Sequence, residues 1–248
     1  MVYTELHSEE DILKAMKEHW HADDNSLLPP MFHGTDYSLI DLSSGDRVVI
    51  NEACVLIIES IYKLFRDRNI SIYGNKTLMN VKDSYGSAQD AYIKAGGRVN
   101  NNALYEYGDF YVTNNPQRAE GYSREAWILG ETGWVANLLL KGACSLGIEL
   151  PSDAEFVNAY RIIDNRRNRI KNPTIIVVTD CKYSELYSEQ GEQFNDDFEM
   201  NILKDDCHKG YRCSYRLGKN TLEKDAVNYV VRKELITDLI RIYYEFTV

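Results

Sequence analysis

A histidine, a glycine and a threonine in succession, His33-Gly34-Thr35, are the residues whose types and order best suit the binding of a polar ligand. They follow the apolar pair Met31-Phe32, as at the end of a short strand. The imidazole can bind a hydroxyl, the glycine leaves its backbone open to an amide, and the threonine hydroxyl adds a further hydrogen bond. A surface turn that holds an ordinary histidine is the alternative interpretation.

Two tyrosines downstream stand in a pattern of a strand followed by a helix. Tyr111 lies in the apolar run Phe110-Tyr111-Val112-Thr113, just after Gly108, and Tyr122 follows eleven positions later. Pro116 lies between them, at a point where a helix would begin, because proline suits the first helical turn. Taken singly, each tyrosine is more simply a core or helix-surface aromatic residue.

Together the two segments resemble the ADP-ribosyltransferases of the diphtheria-toxin and poly(ADP-ribose)-polymerase type. The resemblance implies that His33 holds a ribose hydroxyl of NAD and that the Gly34 backbone pairs with the nicotinamide carboxamide, with Thr35 in the same site. It also implies that Tyr111 and Tyr122 sandwich the nicotinamide ring, and that His33 and Tyr111 belong to a His-Tyr-Glu catalytic triad. A flat cationic ring is well held between two electron-rich ring faces, which agrees with this assignment.

The third position of the triad departs from the family. The family's glutamate begins a strand of the form Glu-Tyr-Ile-Val, and the nearest match, Asn228-Tyr229-Val230-Val231, has asparagine there. Glu223, five residues earlier, and Glu234, six residues later, are alternatives that do not align. Asparagine can hydrogen-bond a ribose hydroxyl but carries no charge to stabilise a developing oxocarbenium ion. The resemblance then implies single transfer and not chain elongation. Ala119 stands where relatives often carry a serine or threonine.

Five basic residues are concentrated in one short segment that contains a single acid, Asp164; they are Arg161, Arg166, Arg167, Arg169 and Lys171. The formal net charge of −10 argues against general polyanion binding, because nonspecific nucleic-acid affinity comes from pairing phosphates with Lys and Arg. A local basic helix can still seat a phosphate backbone, and arginines stack on unpaired bases. The alternative is a solvated helix face that pairs with acidic loops such as Asp196-Asp197.

The resemblance implies an NAD-dependent mono-ADP-ribosyltransferase that releases nicotinamide and modifies a macromolecular acceptor. The basic segment narrowly favours nucleic acid, RNA in particular. Bacterial relatives include toxins of toxin–antitoxin and phage-defence systems, so we expect an intracellular toxin or defence effector with an antitoxin as a possible partner. A protein-directed transferase and a catalytically inactive relative that binds NAD, ADP-ribose or a partner are the alternatives.

The cysteines and the apolar runs indicate the cellular compartment in which we expect the protein. The five cysteines are scattered and form no CxxC pair, which is typical of reduced thiols in a cytosolic protein. Cys207, His208 and Cys213 lack a second ligand pair, so we expect no metal. The N-terminus lacks the basic and apolar regions of a signal peptide, and the apolar runs are too short to span a bilayer. We therefore expect a cytoplasmic protein without a membrane partner.

The elements that must position these residues are a mixture of helices and strands. The patterns predict helices over about 8–22, 51–68, from Pro116 towards Leu129, and over 158–171. They predict strands around His33 and over 110–113, 174–179 and 228–231, with irregular segments over 71–102 and 188–206. Residues 134–141 form a further apolar element, and 234–246 suit a helix or a last strand.

We find no repeat and no linker, so the sequence predicts a single α+β domain over residues 1–248. The resemblance implies an ADP-ribosyltransferase-like split β-sheet core with flanking helices, preceded by the helix at about 8–22. It covers roughly residues 31–123, and 172–187 match the central strand and loop of bacterial members only in composition.

Overall fold

The structure, a computed structural model, describes residues 3–20, 29–40, 44–70, 110–124, 130–169, 171–182, 185–187, 214–217 and 227–247. The chain divides into two compact units. The first comprises Met1–Ile40, Asp109–Arg124 and Lys171–Val248, and the second comprises Asp41–Gly108 and Glu125–Ile170. That the whole chain is a single domain stays a prediction.

The first unit contains a mixed sheet that has seven strands within the described residues. In sheet order they are β1 (Tyr3–Leu6), β7 (Val227–Arg232), β4 (Pro173–Thr179), β2 (Met31–Asp36), β3 (Phe110–Thr113), β6 (Ser214–Leu217) and β5 (Leu186–Tyr187). Strand β1 runs parallel to β7, and the other neighbouring pairs are antiparallel. With its flanking helices, this sheet confirms the α+β class, while the ADP-ribosyltransferase-like type stays a prediction.

The described helices are, in chain order, α1 (Glu9–His19), α2 (Tyr37–Ile40), α3 (Ser44–Asp67), α4 (Pro116–Tyr122), α5 (Gly130–Ser145), α6 (Ala154–Arg167) and α7 (Ile236–Thr247). A 3-10 turn, Lys233–Leu235, precedes α7. Three of the helices begin at a residue whose side chain accepts a hydrogen bond from the first turn, namely Ser8, Asn115 and Asp153. Such caps satisfy backbone N–H groups that have no partner inside the helix.

The sheet has two differently covered faces. Phe32, Ile175, Val177 and Val231 lie in one core cluster with residues of α1, α4 and α7, and we call this side the helical face. Their neighbours along the strands, which include Met31, Ile176, Val178, Val230 and Val112, lie in a separate cluster on the opposite face. This alternation is the two-residue period of β-strands, and it assigns each side chain of the sheet to a face.

The second unit is built from helices within the described residues. Helices α3, α5 and α6 pack together through buried apolar side chains that include Ile57, Ile61, Phe65, Leu139 and Ile163. These side chains recur at helical spacing, which is why the apolar pattern of this part of the sequence predicted helices.

The structure confirms most predicted elements and corrects several boundaries. Helix α3 begins at Ser44 and not at Asn51, and residues 234–246 form a 3-10 turn followed by a helix. Helix α6 runs from Ala154 to Arg167 and not from 158 to 171, because Asp153 caps its start and Asn168 its end. The apolar element at 134–141 is part of helix α5.

The largest correction concerns the helix at Pro116, which ends at Tyr122 and does not continue towards Leu129. Ser123 closes it, with its backbone N–H pointing to the carbonyl oxygens of Ala119 and Glu120. The sequence did not predict β1, β5 or β6. The irregular segments expected at 71–102 and 188–206, and the acidic pair Asp196-Asp197, lie outside the described residues.

Candidate functional site

The pairing between β2 and β3 is short, and we call the stretch beyond Phe32, in which the two strands are not paired, the gap. Within the described residues, the two strands pair at one register position, Phe32 opposite Thr113, whereas β2 pairs with β4 over six positions. Continuing that register would set Tyr111 opposite Gly34, but the two strands are no longer paired there. Beyond Phe32, every second residue of β2 directs its backbone N–H and C=O away from β4 and into this gap.

His33 spans the gap. Its Nδ1 lies 2.7 Å from the carbonyl oxygen of Tyr111. A carbonyl oxygen only accepts hydrogen bonds, so Nδ1 carries the proton and donates it. In the neutral imidazole, Nε2 is then the nitrogen with a lone pair, and it can accept a hydrogen bond from a hydroxyl. The ring is therefore set in the tautomer that suits a ribose hydroxyl.

Gly34 lies directly beneath the end of helix α4. A Cβ atom at this position would collide with the carbonyl oxygen of Ala119 and would lie 2.8 Å from the backbone nitrogen of Ser123. Because both are backbone atoms, no side chain can be accommodated without moving the helix. Glycine is thus required here by close packing, and its proposed pairing with a carboxamide stays a prediction.

Helix α4 is held firmly at both ends, and this fixes Tyr122. The Asn115 side chain accepts hydrogen bonds from the backbone N–H groups of Gln117 and Arg118, at 3.0 and 3.2 Å. At the other end the Ser123 hydroxyl donates to the carbonyl oxygen of Glu120 at 2.7 Å. Tyr122 is the last residue of α4, at the end that touches Gly34.

The predicted site residues come from both faces of the sheet. Val112 packs on the opposite face, so alternation along β3 places Tyr111 on the helical face, as it does Gly34 along β2. The same alternation places His33 and Thr35 on the opposite face, where Thr35 is buried.

Asn228 is also on the face of His33, but β4 lies between their strands. It is buried on β7 and stands opposite Val178, which in turn stands opposite Met31. Glu234 is exposed in the 3-10 turn beyond the other end of β7, and the strand from Asn228 to its last residue, Arg232, already spans about 13 Å at about 3.3 Å per residue. Of the two residues, Asn228 is therefore the one on the face of His33, and its place in a triad stays a prediction. Glu223 lies outside the described residues.

Arg118 was not selected by the sequence and stands next to Tyr122. Its Nε donates to the Tyr122 hydroxyl at 3.0 Å, and its guanidinium carbon lies 5.6 Å from the centre of the Tyr122 ring. The two residues are four apart on one helix, a spacing that brings side chains together. A guanidinium at this point can bind a phosphate group.

Tyr243 of helix α7 is a second residue that the sequence did not single out. Its hydroxyl donates to the carbonyl oxygen of Asn114 at 2.6 Å, and its ring meets the ring of Phe32 edge-on at 5.4 Å. Tyr243 is almost completely buried. It therefore joins β2 to the turn between β3 and α4, the two segments that carry the predicted pocket. In the sequence, Tyr243 is only one of several apolar residues in the segment 234–246, and no pattern there distinguishes it from the others.

A third feature, which we call the His19 cluster, consists of His19, Asp180 and Tyr229. The His19 Nδ1 lies 2.9 Å from the Asp180 carboxylate, and its Nε2 lies 2.9 Å from the Tyr229 hydroxyl. Burial raises the pKa of Tyr229, and the negative charges of Glu18 and Asp180 raise it further. The cluster fastens the end of α1 to the end of β4 and to the residue after Asn228.

The sequence predicted that the five basic residues lie on one helix, over 158–171. This prediction is wrong, because the helix ends at Arg167. Arg161 and Arg167 are exposed on α6, and Arg169 is exposed just beyond its end. Arg166 is turned towards Asp46 of α3, at 3.9 Å. Lys171 is exposed and belongs to the first unit.

No group of three His, Cys, Asp or Glu side chains is placed to hold a metal ion in the part of the chain that the structure describes. Cys207, His208 and Cys213 lie outside that part. Among the described helices, none is long and apolar enough to cross a bilayer.

The fold and the site thus define a mixed α+β chain with a gap in its sheet, lined by His33, Gly34, Tyr111 and helix α4. Comparison of the chain with protein-family models, with curated proteins and with solved structures finds no match.

Proposed function

We propose that the chain binds NAD at the gap between β2 and β3 and transfers single ADP-ribose units from it. The observation that carries this proposal is the bond between His33 and the Tyr111 backbone, because it brings the two separate motifs to one place in the tautomer that a ribose hydroxyl needs. The closeness of Gly34 to α4, which ends in Tyr122, supports the same site.

In this proposal each residue binds a different part of NAD. The Nε2 of His33 accepts a hydrogen bond from a ribose hydroxyl, and the backbone beside Gly34 pairs with the carboxamide. Tyr111 and Tyr122 hold the nicotinamide ring between their faces. Thr35 contributes a hydroxyl, and Arg118 binds the diphosphate as a charge-assisted donor.

The reaction breaks the bond between the ribose and nicotinamide, which leaves with the bonding electron pair. A nucleophile of the acceptor forms the new bond to the same ribose carbon and gives up its proton. Asn228 supplies an amide where the related enzymes have a carboxylate, so the site acts mainly by orienting NAD and excluding water. We infer that transfer stops after one unit, because no charge there polarises a further acceptor.

The acceptor in this proposal is a nucleic acid, with RNA ahead of DNA. The proposed setting is the cytoplasm, where the protein acts as a toxin or phage-defence effector with a neutralising antitoxin protein. The exposed arginines of α6 support the choice of acceptor.

The test is incubation with NAD labelled in its adenylate part, with RNA, DNA or cell protein as acceptor. We expect label on RNA with the wild-type chain, and none with His33→Ala or Tyr111→Ala. His7→Ala is the matched control, because the His7 side chain is 74% exposed. Label on protein alone would replace the RNA assignment with a protein acceptor.

A second candidate is an inactive relative that binds NAD or ADP-ribose without turnover, and the asparagine at position 228 favours it. Calorimetric NAD binding without nicotinamide release would establish this candidate and contradict the transferase. An Asn228→Glu variant that gains nicotinamide release would support it further and would identify position 228 as the third triad position.

A further inference from the structure

The outer side of helix α6 is polar, and none of its side chains belongs to the core cluster that the described residues of the second unit form. Phe156, Ala159 and Ile163 are buried and attach the inner side of the helix to the core with α3 and α5. The outer side carries exposed side chains that are amides, an aromatic ring and arginines, namely Asn158, Tyr160, Arg161, Asn165 and Arg167. The fold thus accounts for the inner side only.

The arginines of this surface have no ion-pair partner among the described residues. Arg161, Arg167 and Arg169 make no side-chain hydrogen bond or ion pair there, in contrast to Arg166, which faces Asp46. The nearby acid, Asp164, accepts a hydrogen bond of 3.1 Å from the Asn168 side chain. Three positive charges without an ion-pair partner among the described residues therefore lie between the middle of α6 and the segment just beyond its end, in a chain of net charge −10.

An aromatic ring stands on the same flank as one of these arginines. Tyr160 is 40% exposed, a high value for a large aromatic residue. It precedes Arg167 by seven residues, which is two helical turns, so the two side chains point in the same direction about 10 Å apart along the helix. Phenol rings and guanidinium groups both offer flat surfaces on which an unpaired base can stack.

We propose that this outer side of α6 binds single-stranded nucleic acid. Arg161, Arg167 and Arg169 contact phosphates, and Tyr160 stacks on a base. Asn158 and Asn165 provide amides that can bind base edges. Stacking needs an unpaired base, which is why the surface suits a single strand better than a duplex. That this surface binds nucleic acid does not depend on the proposed transferase function. That the bound nucleic acid is the acceptor of ADP-ribose rests on that function.

The test is fluorescence anisotropy of the full chain with short labelled oligonucleotides, without NAD, over a series of salt concentrations. The probes are a single-stranded RNA, a single-stranded DNA of the same sequence, and the duplex. We expect the two single strands to bind more tightly than the duplex, and the tighter of the two identifies the preferred nucleic acid.

Three variants locate the site. Replacing both arginines, Arg161→Gln with Arg167→Gln, should weaken binding and lower the slope of log affinity against log salt by about 1.4, because each lost phosphate contact contributes about 0.7. Tyr160→Leu should weaken binding by about fivefold or more with an unchanged salt slope, since it removes stacking and no charge. The control is Arg66→Gln with Arg68→Gln, which likewise removes two charges, from exposed positions at the end of α3 and just beyond it in the same unit.

Several results would overturn the proposal. One is an arginine double variant with the same affinity and salt slope as the control variant on α3. Another is a duplex that binds as tightly as the single strands, and a third is a chain that binds an acidic peptide but no nucleic acid. Because NAD is absent, failure here would leave the transferase proposal standing with a protein acceptor. Conversely, His33→Ala should keep full nucleic-acid binding while it loses NAD.

Discussion

The carbonyl oxygen of Tyr111 accepts a hydrogen bond of 2.7 Å from the Nδ1 of His33, across the gap between β2 and β3. A side chain thus joins two strands at a point where their backbones are no longer paired. This fixes the ring of His33, and in the neutral imidazole it makes Nε2 the nitrogen that carries the lone pair.

His33→Asn should separate the two roles of the imidazole. The asparagine amide nitrogen can take the place of Nδ1 and keep the bond to Tyr111, whereas nothing replaces Nε2. We expect NAD affinity to fall about tenfold or more, as for one lost hydrogen bond, with little change in melting temperature. Calorimetry and thermal unfolding measure the two effects. Wild-type affinity in the Asn variant would show that Nε2 does not contact NAD.

Gly34→Ala should disrupt both the fold of the first unit and the site, because the added Cβ collides with the backbone of α4. We expect the free energy of unfolding to fall by about 1–3 kcal/mol, the usual effect of overpacking, and NAD binding to be lost. Gly121→Ala is the control, since a Cβ there has nothing within 4 Å. That change should leave stability equal or raise it by about 0.5–1 kcal/mol, because alanine favours helix. Urea unfolding compares them, and equal stability of the two variants would contradict the close packing.

Tyr243→Phe should lower stability by about 1–3 kcal/mol, because it leaves the buried carbonyl oxygen of Asn114 without its 2.6 Å hydrogen bond. Tyr244→Phe is the neighbouring control. Tyr244 is 39% exposed and its contacts to Asn115 and Gln117 are long, at 3.4 Å. We expect the control to change stability by less than about 0.5 kcal/mol. If Tyr243 positions the pocket, its variant should also raise KM for NAD more than it lowers kcat, and unchanged kinetics would leave it a purely structural residue.

Tyr229→Phe should flatten the loss of stability at high pH. Burial, followed by the charges of Glu18 and Asp180, raises the pKa of Tyr229 above its ordinary value of 10.0. The stabilising contribution of the neutral phenol is complete below about pH 10 and is lost as the pH rises through the folded-state pKa, because the unfolded chain ionises first. The Phe variant lacks this loss, although it is less stable by about 1 kcal/mol at neutral pH without the bond to His19. Urea unfolding from about pH 8 to 11 measures both effects, and identical alkaline slopes would refute the assignment.

The strongly periodic elements could be predicted from the sequence, and the short edge elements could not. Helix α3 and strand β4 have long apolar patterns, which identify the type of element from the local sequence alone. Strand β1, Tyr3–Leu6, alternates too briefly to be distinguished from a loop, and its pairing with β7 depends on residues far along the chain. Helix α4 ends at Tyr122, where its last turn packs against Gly34, and no local pattern in the sequence contains this contact.

The candidate site was predictable to a similar extent. The spacing of His33, Tyr111 and Tyr122 led to one region of the structure, but the reason for Gly34 is a tertiary contact that a motif does not show. Arg118 has an ordinary surface pattern in the sequence, and only its bond to Tyr122 draws attention to it. In the His19 cluster, Asp180 lies 161 positions and Tyr229 lies 210 positions from His19 in the sequence, so a local sequence pattern cannot indicate the cluster.

The division of the chain into two interleaved units bears on the order in which the protein assembles. The chain leaves the first unit after Ile40 and again after Arg124, and it returns at Asp109 and at Lys171. During synthesis, β2 can therefore pair with β4 only after the whole second unit has been made, and β4 can pair with β7 only later still. A nascent or truncated chain that has not reached β7 carries His33 and Tyr111 without the sheet that holds them, so the pocket forms only after β7 has been synthesised.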